Sequence, residues 1–209
     1  SYILFDSMLD KSKYELHTID YNAEDPEGAV TKIRKYVKEN KIQLVIGSSL
    51  GGFLTLFLYG TMRIVINPCW DPAVELPLIG YIGPTETYAR MLQELKNTTD
   101  EEEAELCCGC FAQSDELLGN KYRATFSKFY SRIYDVPGGH HLTAEAVESI
   151  IHKVIPEHDA ETDDFVRKLI GAGDRSLTSK EKKLFDCWFG EWGFPYETVE
   201  LAYEKAVDA

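Results

Sequence analysis

Apolar residues in this chain alternate between two kinds of pattern. Short, nearly continuous apolar runs occur at residues 42–47 (IQLVIG), 62–67 (MRIVIN) and 106–111 (LCCGCF), and residues 131–136 (SRIYDV) also read as a strand. Such runs suit strands buried on both faces of a sheet. Residues 14–21 (YELHTIDY) also read as a strand. Helical spacing lies between them. Asp25-Pro26 offers an N-cap followed by proline at the first helical position, and Ala29, Val30, Ile33, Tyr36 and Val37 then recur on one face. Residues 51–59 and 87–95 read as helices, and residues 143–154 as an amphipathic helix with Ala146, Val147, Ile150, Ile151 and Val154 together. Strands alternating with helices predict an α/β fold with a mostly parallel sheet covered on both sides.

After Pro156 the strand signal stops. Residues 158–164 (HDAETDD) are polar and acidic, and only helical pattern follows. Thr178-x-x-Glu181 fits a capping box. Leu184, Phe185, Trp188 and Trp192 share a face and read as core, with Gly193 where a helix stops. Pro195 opens a last helix bearing Val199, Ala202, Tyr203 and Ala206. The expected organisation is an α/β domain over residues 1–157 and a small all-helical domain over 158–209.

Charge narrows the function. With 22 basic and 35 acidic residues the net charge is -13, which argues against binding a phosphate backbone over most of the surface. An aromatic content of 12% argues against disorder. No apolar stretch approaches the ~18–20 residues of a membrane span, so no membrane partner is expected. Residues 1–10 lack the basic start and small-residue cleavage site of a signal peptide. Five cysteines is an odd number, so a disulfide framework is not expected and a reducing cytoplasm is. Cys107 and Cys110 have C-x-x-C spacing, yet in a strand they point to opposite faces and read as buried small residues.

The chemistry gathers at Gly47-Ser48-Ser49-Leu50-Gly51. This G-x-S-x-G sits between a buried strand and a helix, the setting of a nucleophile elbow. The turn would lift the Ser49 hydroxyl above the sheet edge, and the Leu50 N–H at the helix start would face a developing oxyanion. A serine needs a base. In this fold class an acid and then a histidine follow the serine in the chain. Asp115 (in FAQSDELL) and His141 (in VPGGHHLT) each lie just past a strand's C-terminal end, where open α/β sheets place their sites. His141 would take the serine proton and Asp115 would orient the ring. The residues alone do not choose between His140 and His141. Two adjacent histidines also suit a metal, but no third ligand has a telling spacing. No cofactor or metal is expected.

IGSSLGGF, INPCW, FAQSDELL and GGHHLT, in this order over about residues 12–155, resemble the YqiA-like esterase family of small α/β hydrolases. The resemblance implies Ser49 as nucleophile, Asp115 as acid and His141 as base, because the family has Asn before its catalytic histidine and His140 stands in that place. It implies a small-molecule carboxylic ester as substrate, short-chain or an acyl thioester. One departure stands out. Such hydrolases begin with a strand ending in His-Gly, which gives the second oxyanion N–H, and no His-Gly follows any early strand here; the first strand is expected to be missing. Pairing of the exposed edge would then make a homo-oligomer. Residues 164–209, with L-T-x-x-E, W-x-x-E-W-G-F and L-A-Y-E-x-A-V, resemble the DnaD-type helical domain of replication proteins. That resemblance leaves nucleic-acid binding through the tail open, against its acidic balance.

Overall fold

Four of the five expected strands form, and they form one sheet. A computed structural model of the chain describes residues 2–119, 121–171 and 177–189. Its strands are β1 (Leu44–Ser48), β2 (Met62–Ile66), β3 (Cys107–Ala112) and β4 (Arg132–Val136). They are hydrogen-bonded in the order β1-β2-β3-β4, all parallel. The helices are α1 (Tyr2–Met8), α2 (Pro26–Glu39), α3 (Leu50–Thr55), α4 (Pro72–Leu78), α5 (Glu86–Thr98), α6 (Glu101–Glu105), α7 (Arg123–Phe126), α8 (Ala144–Ser149), α9 (Ile155–Leu169) and α10 (Ser179–Phe189). Asp25 caps α2 as its sequence position suggests, its carboxylate accepting the Gly28 N–H at 3.0 Å.

Period-two alternation sends the side chains of each strand to two cores. Val45, Val65, Cys107 and Phe111 meet α2, α3 and α5 through Ala29, Val30, Ile33, Phe53, Leu54, Tyr88 and Met91. Ile46, Ile64, Ile66, Cys108 and Cys110 meet Phe5 of α1 and Val147 of α8. Cys107 and Cys110 therefore face opposite ways, and both are buried thiols. Trp70 lies in the first core against Phe126, Phe129 and Tyr130.

One strand expectation fails. Residues 14–21 are not a strand: they form no ladder, and their backbone bonds elsewhere, the Tyr14 N–H to the Asp10 carbonyl and the Asp20 carbonyl to Lys32 Nζ at 2.6 Å. A strand exists by pairing, and this segment pairs with none of the four strands; it and β1 both line one cavity. The segment nevertheless alternates like a strand, with Tyr14 and Leu16 in one core and Ile19 in the other.

The helical tail continues the body. Helix α8 runs through a π-helical turn at Ile150–Val154 into α9, so the boundary expected at residue 157 falls inside a helix. The capping box of α10 forms: the Thr178 N–H reaches the Glu181 carboxylate at 2.8 Å, and the Thr178 hydroxyl accepts the Glu181 N–H at 3.2 Å. Phe165, Leu184 and Phe185 pack with Met62 and Leu106 at the lower end of the sheet. Trp192, Gly193 and the helix expected after Pro195 lie outside the described residues. Among the described residues no helix is long and apolar enough to cross a membrane.

Two buried polar groups brace the sheet: one ties β2 to α6 and to the end of α3, the other joins β3 to α9. The Arg63 guanidinium, fully buried, donates to the Leu56 carbonyl and to the carbonyl and carboxylate of Glu103, each at 2.8 Å. Glu103 also accepts the Gly60 N–H at 2.8 Å. His158, 2% exposed, lies 3.5 Å from the Cys108 thiol through Nε2. Burial pushes its pKa down to about 4, aided by the Arg132 charge.

Glu103→Ala strands the buried guanidinium without its counter-charge. It is expected to cost about 3–5 kcal/mol in urea unfolding. His158 is neutral when folded and protonates freely when unfolded, so its contribution is intact above pH 6.5 and is lost as pH falls toward 4. The expected loss is about 3 kcal/mol. A His158→Leu chain should show a flatter stability profile over that window, measured by the same melts.

Candidate active site

The elbow after β1 is held by close backbone packing. A Cβ on Gly47 would lie 2.3 Å from the Thr55 hydroxyl and 2.5 Å from the Gly51 carbonyl, so only glycine lets α3 start this close to the strand. Ser49 sits between strand and helix at φ 54°, ψ -121°. This is a conformation that side-chain-bearing residues adopt rarely and at a cost. It persists because both sides are tied to the neighbouring strand: the Ser49 N–H donates to Ile66, and the Ser49 carbonyl accepts the Cys69 N–H, both at 3.0 Å. The Leu50 N–H is the first amide of α3, where helix geometry supplies no acceptor.

The hydroxyl so presented meets a histidine, but His140 rather than His141. Ser49 Oγ is 2.9 Å from His140 Nε2, and His140 Nδ1 is 3.0 Å from Asp115 Oδ2. A carboxylate only accepts, so Nδ1 carries the ring proton and Nε2 is left to accept from Ser49. His140 and the Asp115 side chain are 7% and 3% exposed, whereas His141 is exposed. The expectation for His141 is corrected by the loop's hydrogen bonds. After β4 the chain turns at Gly138, φ 90°, whose carbonyl accepts the Ser114 N–H at 3.0 Å. The His140 N–H is then caught by Glu116 Oε2 at 2.9 Å. These ties aim residue 140 into the site, and its neighbour points to solvent. Nothing in the pair's own sequence carries that information.

Asp115 is itself oriented. Its Oδ1 accepts the Leu117 and Leu118 N–H groups at 2.9 and 2.7 Å, which leaves Oδ2 for the imidazole. Two further residues, not singled out by the sequence, complete the frame. Asn67, buried after β2 at φ 43°, accepts the Ala112 N–H at 2.8 Å and donates to the Gly139 and His140 carbonyls at 3.3 and 3.4 Å. It thus joins the strand leading to Asp115 with the histidine loop. Glu116 has its pKa lowered chiefly by the hydrogen bond from the His140 backbone. An asparagine at the end of a buried strand, before Pro68, was the visible sign of the first; the second had none beyond its place beside Asp115.

The profile of the uncharacterised protein family UPF0227 matches residues 4–156. The chain belongs to that family. The matched span holds the four-stranded sheet, with Ser49, Asp115 and His140, and ends before most of α9. None of the curated proteins compared matches the chain. Among solved structures it is similar to Est1E from Butyrivibrio proteoclasticus at 18% identity, with 65% of this chain and 71% of that one covered and a TM-score of 0.48. It is also similar to the peroxisomal alpha-beta-hydrolase Lpx1 of Saccharomyces cerevisiae at 14% identity, covering 90% and 69% with a TM-score of 0.40. The UPF0227 match stops short of the tail, and no finding supports a DnaD-type domain there. Most of the motifs behind that resemblance lie outside the described residues.

Replacing Asn67 by Ala removes three hydrogen bonds from a buried site and leaves the Ala112 N–H unpaired. The expected cost is about 2–3 kcal/mol in urea unfolding. Exchange of the His140 ring environment, followed by its imidazole NMR signals, should become broader as the loop loosens.

Proposed function

We propose that this UPF0227 chain is a serine hydrolase that cleaves carboxylic esters of short acyl chains, with acyl thioesters in the same reaction class. The observation that carries the reading is the continuous hydrogen-bonded line from Ser49 Oγ through His140 to Asp115. In the proposed first step Ser49 Oγ attacks the ester carbonyl carbon and its proton passes to His140 Nε2. Asp115 stabilises the imidazolium through Nδ1–H. The Leu50 N–H donates to the carbonyl oxygen as it gains charge. Collapse breaks the bond to the alcohol or thiol, which leaves with the proton from His140. Water, deprotonated by His140, then attacks the acyl-Ser49, and Ser49 recovers its proton as the carboxylic acid departs.

Helix α4 follows the loop after β2, and Val74, Leu78, Ile79 and Ile82 on and just after it are exposed, Ile82 fully.

Hydrolysis of p-nitrophenyl acetate and butyrate by the full chain tests the reading. Ser49→Ala should lower kcat by about 10³-fold or more, and Asp115→Asn by a similar order through the wrong imidazole tautomer. Full activity in Ser49→Ala would refute the assignment.

A further inference from the structure

Asp115 and Glu116 are consecutive, and both take hold of His140. The Asp115 carboxylate meets the ring at Nδ1, 3.0 Å away, and the Glu116 carboxylate accepts the backbone N–H at 2.9 Å. The peptide unit between Gly139 and His140 is thereby held at both ends. Its N–H goes to Glu116, and its carbonyl accepts from Asn67 Nδ2 at 3.3 Å. A peptide plane fixed at both its polar ends does not rotate, and its orientation sets the direction in which the next side chain leaves the backbone. That side chain is His140, whose Nε2 reaches Ser49 Oγ at 2.9 Å.

The Glu116 carboxylate lies in room that Gly139 leaves for it. A Cβ on residue 139 would stand 2.3 Å from Glu116 Oε2 and 3.3 Å from its Cδ. The other close atom is the Ser114 carbonyl oxygen at 3.2 Å, which a shift of a few tenths of an ångström relieves. Gly138 has positive φ, but Gly139 does not. The backbone at 139 thus suits any residue, and what demands glycine there is the carboxylate of residue 116.

We infer that Glu116 is a positioning residue of the Ser49 reaction, seated by Gly139, and that the pair holds the His140 ring where it spans Asp115 and Ser49. The inference rests on the hydrolase reading. Without the Glu116 acceptor the Gly139–His140 peptide is held on its carbonyl side alone, and the ring loses its fixed reach to the serine. A misplacement of about 1 Å costs on the order of 10²-fold in rate. The role needs an acceptor at this point rather than a charge, and glutamine at 116 keeps a carbonyl oxygen for the same N–H.

The test compares Glu116→Ala, Glu116→Gln, Gly139→Ala and the double variant Glu116→Ala/Gly139→Ala in hydrolysis of p-nitrophenyl butyrate, with urea melts to establish folding. Glu116→Ala is expected to lower kcat about 10–100-fold with KM changed by less than about twofold. Glu116→Gln should restore kcat to near that of the unaltered chain. Gly139→Ala should lose as much as Glu116→Ala, and the double variant no more than either, because both changes remove the same hold. Exchange of the His140 Nδ1–H with water, followed by NMR, reads the hold without any substrate. It should be slow in the unaltered chain and in Glu116→Gln, and fast in Glu116→Ala and Gly139→Ala. If no chain hydrolyses the ester but the exchange follows this pattern, the hydrolase reading fails and the hold on His140 stands. The inference is overturned by unchanged kcat and unchanged exchange in a folded Glu116→Ala chain, by Glu116→Gln as impaired as Glu116→Ala, or by losses that add in the double variant.

Discussion

Everything at the candidate site depends on one tight turn. Ser49 must leave β1, reverse into α3 and hold a rare backbone conformation, all beside the neighbouring strand. The chain meets that constraint with Gly47, whose lack of a Cβ lets helix and strand touch, and with two backbone hydrogen bonds from Ser49 to Ile66 and Cys69. Strain of this kind costs of order 1–3 kcal/mol and survives only where the surroundings over-determine it. Here the surroundings are β2 and the loop after it, fully buried through Ile64, Val65 and Ile66. The serine's presentation is therefore a consequence of the sheet's packing.

The histidine and the aspartate arrive by a different route. Neither sits on a regular element. Each lies in a loop past the end of a strand, and loops need ties if they are to place a side chain to within a fraction of an ångström. Asn67 and Glu116 provide them, one from the β2 side and one from the acid loop. The two loops also bond directly, Ser114 to Gly138. Charge and hydrogen bonding thus act here as positioning devices, and the burial of His140 and Asp115 follows from the same closure.

Much of this was legible in the residues. The runs at 42–47, 62–67 and 106–111 became β1 to β3 because a parallel strand inside a sheet leaves a nearly continuous apolar run; β4, at the sheet's edge, carries Arg132 and Asp135 and is only partly buried. Ser49 and Asp115 were legible because the G-x-S-x-G pattern falls between strand and helix and the acid follows a strand end. The choice of His140 over His141 was not, since it rests on which backbone amide Glu116 catches, a long-range fact with no local pattern. Residues 14–21 show the same limit from the other side. Their alternation is that of a strand, and their side chains do divide between the two cores. Whether a strand forms depends on a neighbour, and a single segment's pattern does not contain its neighbour. The short α4 was not read from the residues, although Asp71-Pro72 offers the same N-cap and proline that open α2. By contrast the capping box at Thr178 and Glu181, a wholly local device, formed as its spacing implies.

The proposed reaction turns on the activation of Ser49 by His140. Intact-mass analysis after treatment with a fluorophosphonate tests it most directly, because the reagent adds once to an activated serine and needs no knowledge of the substrate. A single adduct is expected on the unaltered chain and on His141→Ala, and none on His140→Ala. An adduct that persists in a folded His140→Ala chain, or disappears only in His141→Ala, would contradict it.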